Sequence, residues 1–181
     1  METTLDFVLK GAGWASLQIS ADSFNHEIGS ISYLSNALDD LLRMGIDIAT
    51  DKGWTFAQFD HEPSTTVLVA ETGWWENDGW VVGARLSSIR DSDVPGSGIT
   101  WNVIHKAKRD FVVQLSSRDE LAATFLGTAK RVLEVHGEDG YRRSWGGQLG
   151  FPMRAMVALE TALTYPETLP NNYGDQGFSP Q

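Results

Sequence analysis

Asp60, His61 and Glu62 place two carboxylates and an imidazole in three consecutive positions, the side chains from which acid–base catalysis and metal binding are most often built. Adjacent residues on a turn point in different directions, whereas metal ligands are best supplied at spacings that share one face. His26-Glu27 and His105 are the groups a fold would have to bring beside this cluster to make a small-ligand or enzymatic site from it. Without them, Pro63 and Ser64 make the segment a polar hairpin turn.

The signatures of common chemistries are missing. The chain carries no glycine-rich loop ending in Lys-Ser/Thr and no dinucleotide fingerprint between a strand and a helix. A Gly-x-Ser-x-Gly elbow and a His-Glu-x-x-His helix are also absent. The sequence has no cysteine, which excludes disulfides, iron–sulfur clusters and thiolate zinc sites. No catalytic residue, metal or cofactor is therefore expected. An enzyme would have to assemble its site from scattered residues such as Asp60, His61, Glu62 and His105.

Two other groups of residues suit binding better than catalysis. In Trp74-Trp75-Glu76-Asn77-Asp78-Gly79-Trp80 the strand period sends Trp74 and Trp75 to opposite faces, one to the core and the other toward a surface or partner. Large rigid rings beside acids are suited to anchor an interface, so Trp74, Trp75 and Trp80 are candidate contacts. Asp39 and Asp40, with Asp47 and Asp51, form an acidic helix face, either simply solvated or offered to a basic protein. The formal charge of −10 repels phosphate backbones, which excludes nucleic acid as a partner and permits a basic one.

The elements that must position these residues follow from periodicity. The chain of 181 residues, 41% hydrophobic with seven Trp, eight Phe and four Tyr, has the size and apolar content of one folded domain. Leu5 to Ser20 reads as strand broken at Gly11 and Gly13, and Ser23 to Ser32 alternates Phe24, His26 and Ile28 at the half-buried strand period. Leu34, Ala37, Leu38, Leu41, Leu42 and Ile48 recur at three and four, predicting a first helix over Tyr33 to Ala49. Strands are expected over Trp54 to Phe59, Thr65 to Glu71 and Trp80 to Ile89, with Asp78-Gly79 as a hairpin signal. Ile99 to Ile104 and Phe111 to Leu115 read as two further strands around the basic turn Lys106 to Arg109.

Ser117 to Glu120 is a capping box that opens a second helix, which His136 and Gly137 should close. Pro152 opens a third, running to about Thr164 with Met156, Leu159 and Leu163 inward. Tyr141 to Gly146 reads as a packed connection between these two helices. The expected fold is α+β: a mainly antiparallel sheet meander, one helix after the N-terminal strands and two C-terminal helices packed on it. Residues 1–165 make a single domain, and residues 166–181, rich in Pro, Asn, Gly and Gln, a loosely ordered tail. With neither a secretory signal nor an apolar run long enough for a membrane span, the expected location is cytoplasmic.

The segments Asn36 to Leu42, Phe59-Asp60-His61-Glu62-Pro63 and Ser117 to Leu121, followed by Tyr141, Trp145 and Phe151-Pro152, resemble small uncharacterised bacterial α+β proteins of the polymorphic-toxin immunity type. The resemblance extends over Leu5 to Leu163 and implies binding to a cognate toxin without catalysis. Two other readings stay open: a structural or regulatory module that self-associates, as a homodimer, and the small-ligand site described above.

Overall fold

The computed structural model of the chain describes residues 3–21, 24–76, 79–90, 99–115, 117–147 and 149–165, without the side chains of 75, 76, 79, 80, 82, 90 and 101. The expected tail at 166–181 lies outside the described residues. Three strands come first, β1 (Thr3–Gly11), β2 (Trp14–Ala21) and β3 (Phe24–Ser32), in an antiparallel sheet of order β1-β2-β3. The β1–β2 turn uses Gly11, Ala12 and Gly13, all at positive φ. Gly13 also sits where a Cβ would fall 2.5 Å from the Tyr33 ring, and its N–H donates to the Ser144 carbonyl at 2.8 Å. Position 13 therefore has no room for a side chain.

Helix α1 (Ala37–Ala49) follows. It starts four residues later than its apolar period predicts. The Ser35 hydroxyl donates to the Ser32 carbonyl at 2.9 Å and the Leu34 N–H to Ser32 Oγ at 3.3 Å, a local hydroxyl–backbone turn that competes with helix. Ten of the thirteen α1 residues are buried. A helix buried on nearly every side is a central element, and α1 packs most closely against α3 (Arg118–Ser144), α4 (Met153–Thr164) and strand β4 (Trp54–Asp60).

Strand β4 opens a second antiparallel sheet, continued by β5 (Thr65–Glu76), β6 (Gly79–Arg90) and β7 (Phe111–Leu115) in the order β4-β5-β6-β7. The fold is α+β, as the periodicity predicts, but its strands divide into two meanders instead of one. One face of the second sheet joins the main core through Ala57, Phe59, Leu68, Ala70, Ala84 and Leu86. The other face holds a smaller cluster of Val67, Val69 and Ile89 under Ile99 and Ile104.

That smaller cluster corrects one expectation. Residues 101–106 form a helix, α2 (Trp101–Lys106), not a strand, with Thr100 Oγ1 accepting from the Val103 N–H at the N-cap. The β-branched residues of this segment are present because Ile104 must seat on a sheet face, which a capped helical turn accomplishes as well as a strand. Strand β7 consequently pairs with β6.

Helix α3 carries a second correction. Ser117 caps it as expected, accepting from the Glu120 N–H at 3.1 Å, and Gly137 leaves the helical region at φ 62 and ψ 173. The chain then re-enters helix as far as Ser144, because the second segment buries Tyr141 and delivers Trp145 to the core. Helix α4 begins beside Pro152 and buries Met156 and Leu159 as predicted, with Leu163 partly covered.

Gly45 of α1 meets α3 and α4, where a Cβ would stand 2.6 Å from Leu159 Cδ2 and 3.3 Å from Phe125 Cβ. Gly127 of α3 has only the Arg131 guanidinium nearby, at 3.4 Å. Helix propensity alone makes Gly→Ala stabilising by about 1 kcal/mol, while overpacking a filled core costs roughly 1–3 kcal/mol. Gly45→Ala is expected to lower, and Gly127→Ala to raise, the free energy of urea unfolding.

Candidate functional sites

The register of the second sheet leaves part of the β5–β6 hairpin outside it. Strand β4 pairs with β5 from Thr65 to Glu71, and β7 pairs with β6 from Ala84 to Ser88. The β5–β6 ladder continues past both, through Gly73↔Val82, Trp74↔Val81, Trp75↔Trp80 and Glu76↔Gly79, after a register shift between Glu71 and Gly73. The segment is a two-stranded ribbon with no strand on either side among the described residues. Its connection, Asn77-Asp78, lies outside the described residues, but the Glu76↔Gly79 pair closes the hairpin that Asp78-Gly79 predicts.

A buried ion cluster holds the root of the ribbon. Glu71 is 0% exposed and receives Arg85 Nε at 2.7 Å and Arg85 Nη2 at 2.9 Å, a two-point clamp between directly paired residues of β5 and β6. Arg109 Nη2 approaches the same carboxylate at 3.6 Å while its Nη1 donates to Ser87 Oγ at 2.9 Å. Burial lowers the Arg109 pKa from its ordinary value, against the pull of Glu71. The Arg85 guanidinium also lies 4.8 Å from the Trp74 ring centroid. Trp74 is 6% exposed, and its ring lies where a Cβ on residue 83 would be 3.3 Å away, so Gly83 makes room for it. Trp75 and Trp80 are register partners in the ribbon, and their side chains lie outside what the structure describes.

The acidic face read from α1 is not simply solvated. Asp39 is 9% exposed and accepts from Arg43 Nε at 2.6 Å and Asn36 Nδ2 at 3.2 Å. Asp40 has its pKa raised to about 6 by burial first and by Asp39 second, with Arg43 opposing. Asp47 accepts from Thr55 Oγ1 at 2.8 Å and pairs with Lys52. Among the four, Asp51 is the exposed one, and it meets Arg118 at 2.7 Å. The spacing that marks these carboxylates as one face cannot show that the α3–α4 side of the core reaches Asp39.

The Asp60-His61-Glu62 cluster forms the start of the β4–β5 hairpin. Asp60 accepts from Thr65 Oγ1 at 3.3 Å, the His61 N–H donates to the Ser64 carbonyl at 2.7 Å, and Glu62 accepts from Ser32 Oγ at 2.5 Å. His61 also faces a cleft of about 500 Å³ between this hairpin and β3, shared with His26, Thr66, Ser88 and Asp110. The structure thus brings His26 to His61. It does not bring His105, which is on α2 beside Ile104, on the opposite face of the second sheet. Ser88 and Thr66 are unmarked in sequence, and the only local signal is Gly29-Ser30, where β3 shifts register against β2. Among the described residues no group of three or more His, Asp or Glu is placed to hold a metal ion.

These sites belong to an α+β domain of two antiparallel meanders around a central helix. No helix among the described residues is long and apolar enough to cross a membrane. Compared with protein-family models, curated proteins and solved structures, the chain finds no match.

The charges lead to three expected outcomes. Glu71→Gln leaves two largely buried guanidiniums without a counter-charge and is expected to cost about 3–5 kcal/mol in urea unfolding. Asp6→Asn, which breaks a half-exposed pair with Arg131, should change little. For Asp40 the folded state holds the proton more tightly than the unfolded one. That stabilisation is complete below the ordinary value of 3.8 and is lost as pH rises through about 6. Asp40→Asn should therefore be more stable than the parent near neutral pH, by at most about 3 kcal/mol, and should show no advantage once the medium is more acidic than the ordinary carboxylate pKa.

Proposed function

We propose that this chain is an acidic, non-enzymatic binding domain that engages a basic protein through the β5–β6 ribbon. The observation that carries the reading is the ladder from Gly73↔Val82 to Glu76↔Gly79, which runs beyond both neighbouring strands with Trp75 paired to Trp80. Such a ribbon leaves backbone donors and acceptors open to strand addition, and aromatic residues are the commonest anchors of interfaces. The charge of −10 favours encounter with a basic partner. The specific form of the reading, suggested by the sequence resemblance, is an immunity protein that covers the active site of a cognate bacterial toxin.

Self-association is the second reading, favoured by the same edges, which are unpaired among the described residues and suit an identical ribbon from another copy. Affinity capture from the native host with tagged chain separates the two. The expected result is one stoichiometric basic protein, released by raised salt and lost when Trp75→Ala and Trp80→Ala are combined, with Trp74 kept because it is buried. Capture unchanged by the double variant rules out the ribbon as the contact. Recovery of the chain alone, with light scattering showing a dimer that the double variant dissociates, establishes self-association instead.

A further inference from the structure

The cleft between β3 and the β4–β5 hairpin is chemically unlike the acidic remainder of the molecule. Its deeper wall carries no carboxylate: Ser88 is 1% exposed and Thr66 and His61 are half-buried. Both Ser88 Oγ and His61 Nε2 are buried without a hydrogen-bond partner among the described residues. Buried polar groups are nearly always paired, so two orphans on one cavity wall call for a missing partner. Since hydroxyl rotors and small side chains move between staggered positions at little cost, Ser88 needs one torsion to meet a ligand in the cleft.

We propose that this cleft binds a neutral polyhydroxylated molecule, a carbohydrate of one or two rings. A hydroxyl group both donates and accepts, which is what Ser88 Oγ and an imidazole nitrogen of either tautomer require. Among the described residues the cleft's lining carries no Lys or Arg. The carboxylates that are present, Glu27 and Asp110, are exposed at the rim, where they repel anions and accept from sugar hydroxyls. A quaternary ammonium, which has no N–H to donate, could meet only that rim and would leave both orphaned atoms of the wall unpaired.

The remaining features fit the same class. His26 is held in place by a ring contact of 4.6 Å with Phe111 and by stacking on Phe24 at 6.1 Å and 14°. It thereby places a fixed aromatic ring in the lining of the cavity, against which the C–H groups of a sugar can pack. The register of β2 and β3 shifts by one residue at Gly29-Ser30, with Ser30 at φ 56, and such bulges bend a strand where it borders a site. The volume of about 500 Å³ lies within the range of small-molecule sites, roughly 300–1,000 Å³.

The test uses the chain's four histidines as reporters, their ring signals followed by NMR in the full-length protein. The probes are glucose, galactose, mannose and N-acetylglucosamine, disaccharides of each, and, as the other ligand classes, inorganic phosphate and tetramethylammonium. The expected result is a saturable shift of His26 and His61 with at least one saccharide, while His105 and His136 stay in place. Ser88→Ala should weaken that saccharide roughly fivefold, the loss of one hydrogen bond. It should not lower the thermal midpoint, because the hydroxyl it removes has no partner. The proposal is overturned if no saccharide moves His26 and His61, if phosphate or tetramethylammonium moves them in place of a saccharide, or if folded Ser88→Ala binds the saccharide as tightly as the parent.

Discussion

Burial of α1 on nearly every side is the constraint on which the rest of the fold depends. Neither sheet is large enough to close a core alone, and a strand or helix with one apolar face must bury it against another layer. Leu38, Leu41, Leu42, Met44 and Ile48 of α1 share one core cluster with Leu5, Leu17 and Ile19 of the first sheet, Phe59 and Leu68 of the second, and Phe125 and Leu159 of the C-terminal helices. The chain leaves β3, makes this helix and returns as β4. The turn into α1 is consequently tied to the far end of β4: Ser32 Oγ donates to Glu62, and the Asp60 N–H donates to Ser35 Oγ at 3.4 Å. These two bonds set β3 beside the β4–β5 hairpin, so the cleft that His26 and His61 share is a consequence of where the central helix begins and ends.

Electrostatics plays a different part at the two ends of the second sheet. At the ribbon root, Glu71 is removed from water and its cost is offset by three contacts from two arginines. Hydrophobic residues of similar volume would serve stability as well or better, but would not distinguish one cross-strand register from the next. On α1 the opposite holds. Asp40 stands beside Asp39 with no compensating hydrogen bond among the described residues, and its carboxyl is pushed toward the neutral form. The charge of −10 therefore overstates the negative field of this helix, and an acidic reading of the surface from residue counts transfers poorly to the particular face that carries Asp39 and Asp40.

How much of this was legible in sequence depends on the range of the interactions involved. Capping is local, and Ser117 with Glu120 located the start of α3. Alternation is local too, and β3 follows from Phe24, His26 and Ile28. The division into two sheets, the helical state of Trp101–Lys106 and the helix resumed after Gly137 are set by what each segment packs against, which a period cannot convey. The sites divide in the same way. The aromatic ribbon is visible as Trp75 and Trp80 around a turn. The cleft is visible only in part, because His26, Glu27 and His61 stand out as groups that could converge, whereas Ser88 belongs to no motif.

The ribbon and the cleft are built on the same two strands, with Glu71 and Arg85 between them. Thr66 and Ser88 lie toward one end of the β5–β6 ladder and the Trp75↔Trp80 pair toward the other. A slip of one residue would exchange the faces of every side chain on these strands, moving Ser88 out of the cleft wall and Trp74 out of its place over Gly83. Val67, Val69 and Ile89 already oppose such a slip through their small core. The two-point clamp adds a geometric condition that apolar contact lacks, since a guanidinium fork meets a carboxylate in one orientation. A buried ion pair that yields little net stability is then intelligible as the element that keeps both ends of one hairpin in the register their separate uses require.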